Sequence, residues 1–146
     1  MKEFSNEAFL NFADSSISEK QKQAIMDVRS RFGKEYPNII GGKEVLTQNK
    51  TKSINPANRD EVIGIFQKAG KDEAEAAMQT AVKAFETWKK VPPAERANYL
   101  FKAAEVIRKR RMEIIAWMIS EVGKNYMEDD ADSCEAIVML ELYGRD

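Results

Sequence analysis

The sequence predicts an α+β protein that is predominantly helical, with four or five helices and a few short strands near the N-terminus. Two observations predict it. From Asp72 onward, apolar residues recur every three or four positions, which is the period of one helix face. Between Asn38 and Phe66 the chain instead carries short β-branched runs separated by Gly-Gly and Asn-Pro turns.

Up to about Ile17, the residues Phe4, Phe9, Leu10 and Phe12 are mixed with Ser and Asn. This stretch reads either as an arm that docks on another surface or as a frayed tail. A helix follows over Ser18 to Phe32. Ser18 and Gln21 have the spacing of a capping box, and Ile25, Val28 and Phe32 share one face. Gly33 stands where a left-handed cap is wanted, and Pro37 forbids continuation.

The strand region opens with Ile39-Ile40, the turn pair Gly41-Gly42, and Val45-Leu46. Asn55-Pro56-Ala57-Asn58 is a second turn, because Pro presets φ and Asn accepts turn geometry. Ile54 and the run Glu61 to Phe66 flank it. One or two hairpins are expected, or strands awaiting a sheet.

Asp72 and Glu75 form the next cap pair, followed by the stripe Ala74, Met78, Ala81, Phe85 and Trp88. Val91-Pro92-Pro93 ends that helix and opens another, with Pro in the first turn. The new stripe is Leu100, Ala104, Ile107, Ile114, Ile115, Met118 and Val122, closed by Gly123. Asn125 with Glu128 caps a last helix, whose apolar positions are Cys134, Ile137, Val138, Leu140 and Tyr143.

Composition narrows the chemistry. The 146 residues include 23 basic and 24 acidic ones, so no basic excess favours a phosphate backbone, and a dedicated nucleic-acid binder is excluded. There is no histidine, which removes the usual general base, the commonest metal ligand and the Ser-His and Cys-His pairs. The single cysteine, Cys134, excludes an internal disulfide and a multi-cysteine zinc site. No run is apolar enough to span a membrane, and the N-terminus lacks an apolar leader. With one unpaired cysteine, this predicts a cytoplasmic protein.

Two charged clusters and the lone cysteine are the candidate sites. Glu128, Asp129, Asp130 and Asp132 could hold a hard cation, but the loop glycine and ligand spacing of a calcium hand are absent. Negative charge at a helix start already has a physical reason in the helix dipole. Arg108-Lys109-Arg110-Arg111 covers more than one helix face and cannot grip one phosphate, so it reads as a solvated or ion-paired surface. Cys134 has acidic neighbours and no base, so it reads as an inert packed thiol. No glycine pattern of a nucleotide-binding turn is present. The expectation is therefore no catalytic, no cofactor-binding and no metal-binding residue in this chain.

Five segments in order, Ser53-Ile54-Asn55-Pro56-Ala57, Glu61-Val62-Ile63-Gly64, Ala81 to Trp88, Glu95-Arg96-Ala97 and Glu121-Val122-Gly123-Lys124, resemble the amino-terminal part of the aldehyde dehydrogenase superfamily. The resemblance runs from about Ile39 to the last residue. The helix ahead of the strands, the Ser-Ile-Asn-Pro-Ala-Asn wording, and Asp130-Ala131-Asp132 with Glu135-Ala136 resemble its 1-pyrroline-5-carboxylate dehydrogenase branch. Asn125 departs from the branch, which usually has Pro after Gly-Lys, and Asn caps the helix that Pro would have started.

The resemblance implies an incomplete piece of an aldehyde dehydrogenase fold. Such enzymes are several times longer than this chain. They use NAD to oxidise glutamate semialdehyde to glutamate in proline breakdown, through a cysteine nucleophile, a glutamate that activates water, an oxyanion-hole asparagine and a glycine-rich cofactor turn. None of these falls within the present sequence, and Cys134 does not match the nucleophile. The chain is then an N-terminal portion, 1–146, with an arm and first helix (1–37), short strands (38–70) and a helical part (71–146). It holds no NAD of its own. Its expected partners are the remainder of the parent enzyme and further copies in a homo-oligomer, with no nucleic acid and no membrane. Glu135, with Asp132 and Ala136, would face the aldehyde entrance of the substrate funnel. The rival expectation is a stand-alone helical protein-interaction module derived from such an enzyme. A portion should leave apolar stripes exposed, whereas a module should bury them.

Overall fold

The computed structural model describes residues 3–146, with five helices and five short strands. The chain divides into two compact units. One comprises the residues up to Ser30 together with Pro92–Asp146; the other is Arg31–Val91.

The first unit holds α1 (Ser15–Arg29), α3 (Pro93–Lys109), α4 (Arg111–Val122) and α5 (Tyr126–Tyr143). Helix α4 packs against α1 and α5, and α3 packs against α5. The core consists of Val28, Ala104, Ile115, Ala116, Cys134 and Ile137. Helix α1 starts three residues earlier than the sequence predicts. The Asp14 carboxylate accepts from the Ser16 N–H at 2.8 Å and takes the capping role. Ser18 therefore lies inside the first turn, its N–H bonded to the Asp14 carbonyl. The helix ends at Arg29, short of Phe32. Gly33 does have positive φ (75°), but its N–H bonds to the Val62 carbonyl at 2.8 Å, so it joins the sheet and does not cap α1.

The expected long helix from Leu100 to Val122 is two helices. The backbone breaks at Arg110 (φ −102°, ψ 12°), which ends α3 and precedes α4. The apolar stripe is itself interrupted there, between Ile107 and Ile114, by the four basic residues. Pro93 opens α3, Gly123 closes α4 with φ 77°, and Asn125 with Glu128 forms the capping box of α5, as the sequence predicts. On α5, Cys134 and Ile137 are buried, whereas Tyr143 is exposed.

The second unit holds β1 (Lys34–Tyr36), β2 (Asn38–Ile40), β3 (Lys43–Val45), β4 (Lys50–Ile54), β5 (Val62–Gln67) and α2 (Lys71–Trp88). Strand β1 precedes the run in which strands were expected, and Pro37 separates it from β2. A three-stranded sheet has the order β1-β5-β4, with β1 parallel and β4 antiparallel to β5. Strands β2 and β3 form a hairpin in which Ile40 pairs with Lys43. Gly41 and Gly42 both have positive φ (60° and 76°), as a two-residue hairpin turn with the matching twist requires. The second turn is also as expected: Asn55 Oδ1 accepts from the Ala57 N–H at 2.9 Å, and Asn55 Nδ2 donates to Glu61 at 2.7 Å. Tyr36 and Phe66 stack with centroids 5.3 Å apart, and a Cβ on Gly64 would meet Phe66 at 2.9 Å and Tyr36 at 3.1 Å.

Helix α2 is capped by Gly70, whose N–H donates to Glu73 at 2.7 Å, in place of the expected Asp72–Glu75 pair. None of its residues is buried. Met78, Val82, Phe85 and Trp88 are 63%, 58%, 56% and 41% exposed. Among the described residues, no helix is long and apolar enough to cross a membrane.

Candidate functional site

The arm, α4 and α5 meet around Arg111. Its guanidinium is almost fully buried and bonds Asp130 through Nε at 2.7 Å and a second nitrogen at 2.6 Å. The same group donates to the Ala8 carbonyl at 3.0 Å and lies 2.8 Å from the Cys134 sulfur. Asp130 uses its other oxygen to accept the Leu10 N–H at 2.8 Å. The buried charge pair is therefore satisfied on both sides, and it ties the arm down. The N-terminal stretch is held by hydrogen bonds to α4 and α5 of its own unit.

A second ionic group holds the start of the arm. Arg108 donates to Glu7 and to Glu141, each at 2.8 Å, and Arg145 donates to Glu141 at 2.7 Å. Arg145 also lies 5.4 Å from the ring centres of Phe4 and Phe101. The bonds from Arg145 and Arg108 hold the Glu141 carboxyl below its ordinary range. A cleft of about 350 Å³ here is lined by Glu3, Ser5, Glu7, Arg108, Glu141 and Arg145. Its cations are already engaged by carboxylates, so it offers no free charge for an anion. The basic run thus splits: Arg108 and Arg111 turn to carboxylates of their own unit, while Arg110 pairs with Glu113 on the surface.

The acidic cluster splits as well. Glu128 caps α5, Asp130 pairs with Arg111, and Asp132 binds Lys124. Asp129 is fully buried, and neither of its carboxyl oxygens has a hydrogen-bond partner. Burial pushes its pKa up, against the pull of Lys124. Among the described residues, no group of three or more His, Cys, Asp or Glu is arranged to hold a metal.

Burial also pushes the Cys134 thiol up, and the nearby Arg111 opposes this only in part. Cys134 is a buried thiol that its surroundings hold in the protonated form. Of the expected funnel residues, Glu135 and Ala136 are exposed and Asp132 is half-buried. Asp132 lies one turn before the adjacent Glu135 and Ala136 on α5.

At the strand-to-helix junction from β5 to α2, the leading N–H of the helix is already bonded to the Glu73 carboxylate.

Sequence reasoning missed the Arg111–Asp130 pair, the arm's anchors at Glu7, Ala8 and Leu10, and the orphaned Asp129. No local signal marks them, because the partners are 19 to 120 residues apart along the chain.

The aldehyde dehydrogenase family model matches residues 45–146, and the chain belongs to that family. The relatives are more specific. The 1-pyrroline-5-carboxylate dehydrogenase of Geobacillus thermodenitrificans is 45% identical over 142 residues, covering 97% of this chain. The 1-pyrroline-5-carboxylate dehydrogenase 2 of Bacillus subtilis is 44% identical over the same length. A crystal structure of 1-pyrroline-5-carboxylate dehydrogenase from Thermus with bound NAD superposes with a TM-score of 0.96 at 43% identity over 99% of this chain. Proline utilization A from Bdellovibrio bacteriovorus gives the same TM-score at 34% identity, covering 98% of this chain and 15% of that one. The chain spans only 28% of the length of the Geobacillus and Thermus enzymes.

Proposed function

We propose that this chain is the N-terminal scaffold of an NAD-dependent 1-pyrroline-5-carboxylate dehydrogenase, which oxidises glutamate semialdehyde to glutamate in proline catabolism. By itself it is inactive, because it carries neither the nucleophile nor the cofactor cradle. The observation that carries this reading is the match along almost the whole chain to just over a quarter of such enzymes. The exposed stripe of α2 supports it, since a portion leaves uncovered what the rest of the enzyme would cover. A stand-alone interaction module that buries its stripes is disfavoured for the same reason.

In the complete protein, NAD binds to the remainder, the enzyme is a cytoplasmic homo-oligomer, and Glu135, Asp132 and Ala136 face the aldehyde entrance. The test is complementation. The purified chain should oxidise no glutamate semialdehyde with NAD, and co-expression with the remaining segment of the Geobacillus thermodenitrificans enzyme should restore the activity. Turnover by the chain alone, or no rescue despite soluble co-purification, refutes the reading. Glu135→Gln in the reassembled enzyme should raise KM for glutamate semialdehyde, and unchanged kinetics would remove Glu135 from the funnel.

A further inference from the structure

We propose that Lys124 is a positioning residue for the aldehyde entrance: by pairing with Asp132 it cancels that carboxylate and leaves Glu135 to receive the substrate's ammonium. The inference rests on the placing of Asp132 and Glu135 at that entrance in the function proposed above. Gly123 ends α4 in the left-handed conformation (φ 77°), and Lys124 follows it in the short link to α5. From there its Nζ reaches eight residues forward to Asp132 Oδ2, at 2.5 Å, so the pair ties the link to the second turn of α5. The Asp132 bond pushes the Lys124 pKa up and keeps it charged at neutral pH.

Asp132 and Glu135 are three residues apart, which makes them neighbours on a helix surface. Glu128, one turn before Asp132, accepts the Asn125 N–H in the cap of α5. Among the described residues, no hydrogen bond or ion pair engages Glu135. Open-chain glutamate semialdehyde carries a carboxylate and an ammonium at the end remote from its aldehyde. Glu135 attracts the ammonium. A bare Asp132 would compete for that ammonium and repel the carboxylate. Lys124 removes both effects and attracts the carboxylate itself. Both side chains of the pair are 40% exposed, so the effect is modest and is screened by salt.

Steady-state kinetics of the reassembled enzyme test this, with glutamate semialdehyde and with pentanal, an uncharged aldehyde of the same carbon count. Pentanal is read as a KM or, where it is not turned over, as a Ki against glutamate semialdehyde. Lys124→Met should raise KM for glutamate semialdehyde about threefold at low salt. It should leave kcat and the pentanal constant unchanged, and the rise should vanish in about 0.5 M sodium chloride. Adding Asp132→Asn to Lys124→Met should restore KM, and Lys124→Arg should keep it. Asp132→Asn alone frees Lys124 and should lower KM, which carries the test if Lys124→Met does not assemble. An unchanged KM in Lys124→Met overturns the proposal. So does a rise shared equally by pentanal or persisting in high salt, a double variant no better than the single, or a higher KM with Asp132→Asn alone. A wild-type reassembly without turnover refutes the function proposed above and takes this inference with it. Turnover with variants blind to substrate charge refutes this inference alone.

Discussion

Replacing Asp129 with alanine should stabilise the protein. Its carboxyl is fully buried, and both oxygens lack a hydrogen-bond partner. A buried polar group left unsatisfied costs about 1–3 kcal/mol, and more if it is charged. Alanine removes that cost and returns a little through the small cavity it leaves. A net gain of about 1–2 kcal/mol should raise Tm by about 2–8 °C for a chain of this size. The pH dependence gives the sharper check. Burial raises the Asp129 pKa above its unfolded value. Between those two values the native state keeps a proton that the unfolded chain has released, so stability falls as pH rises through that window and then levels off. The advantage of Asp129→Ala should therefore be smallest below the ordinary carboxylate range and grow with pH. Urea unfolding at a series of pH values measures it. The background is Trp88→Phe, so that Trp117 on α4 alone reports on the first unit. A variant less stable at neutral pH, or an advantage that shrinks as pH rises, would refute the reasoning.

Other substitutions have equally definite outcomes. Arg111→Met leaves Asp130 buried and uncompensated, and should cost about 3–5 kcal/mol in urea unfolding. Because Arg111 also holds the Ala8 carbonyl, limited proteolysis should then cut within the arm first. Arg111→Lys should rescue little, since a point charge cannot reach Asp130 and Ala8 together. Gly64→Ala should cost about 1–3 kcal/mol, because the new methyl meets the stacked Phe66 and Tyr36 rings inside contact distance. Cys134 should resist a thiol-specific chromogenic reagent at neutral pH and react fully in denaturant.

How much was legible in the sequence can be judged element by element. The Gly41-Gly42 and Asn55-Pro56 turns, the Pro93 start, the Gly123 stop and the Asn125–Glu128 box were all readable, because each is decided by residues within four positions of one another. Where two local signals competed, the choice was made elsewhere. Ser18 has the cap spacing, but Asp14 caps the helix one turn earlier. Gly33 suits a helix end, but a strand carbonyl claims its N–H.

By itself, the sequence determined the mixed but mainly helical class, the turns, the start of α3, the end of α4, the cap of α5 and the absence of histidine chemistry, since these depend on backbone preference and composition. Only the tertiary structure decided that the basic run divides between Glu7, Glu141 and Asp130, that Asp129 goes inside without a hydrogen-bond partner, and that no residue of α2 is buried. The physical reason is reach. A cap or turn closes over one helical turn or less, whereas burial and ion pairing depend on what distant segments bring to the same place.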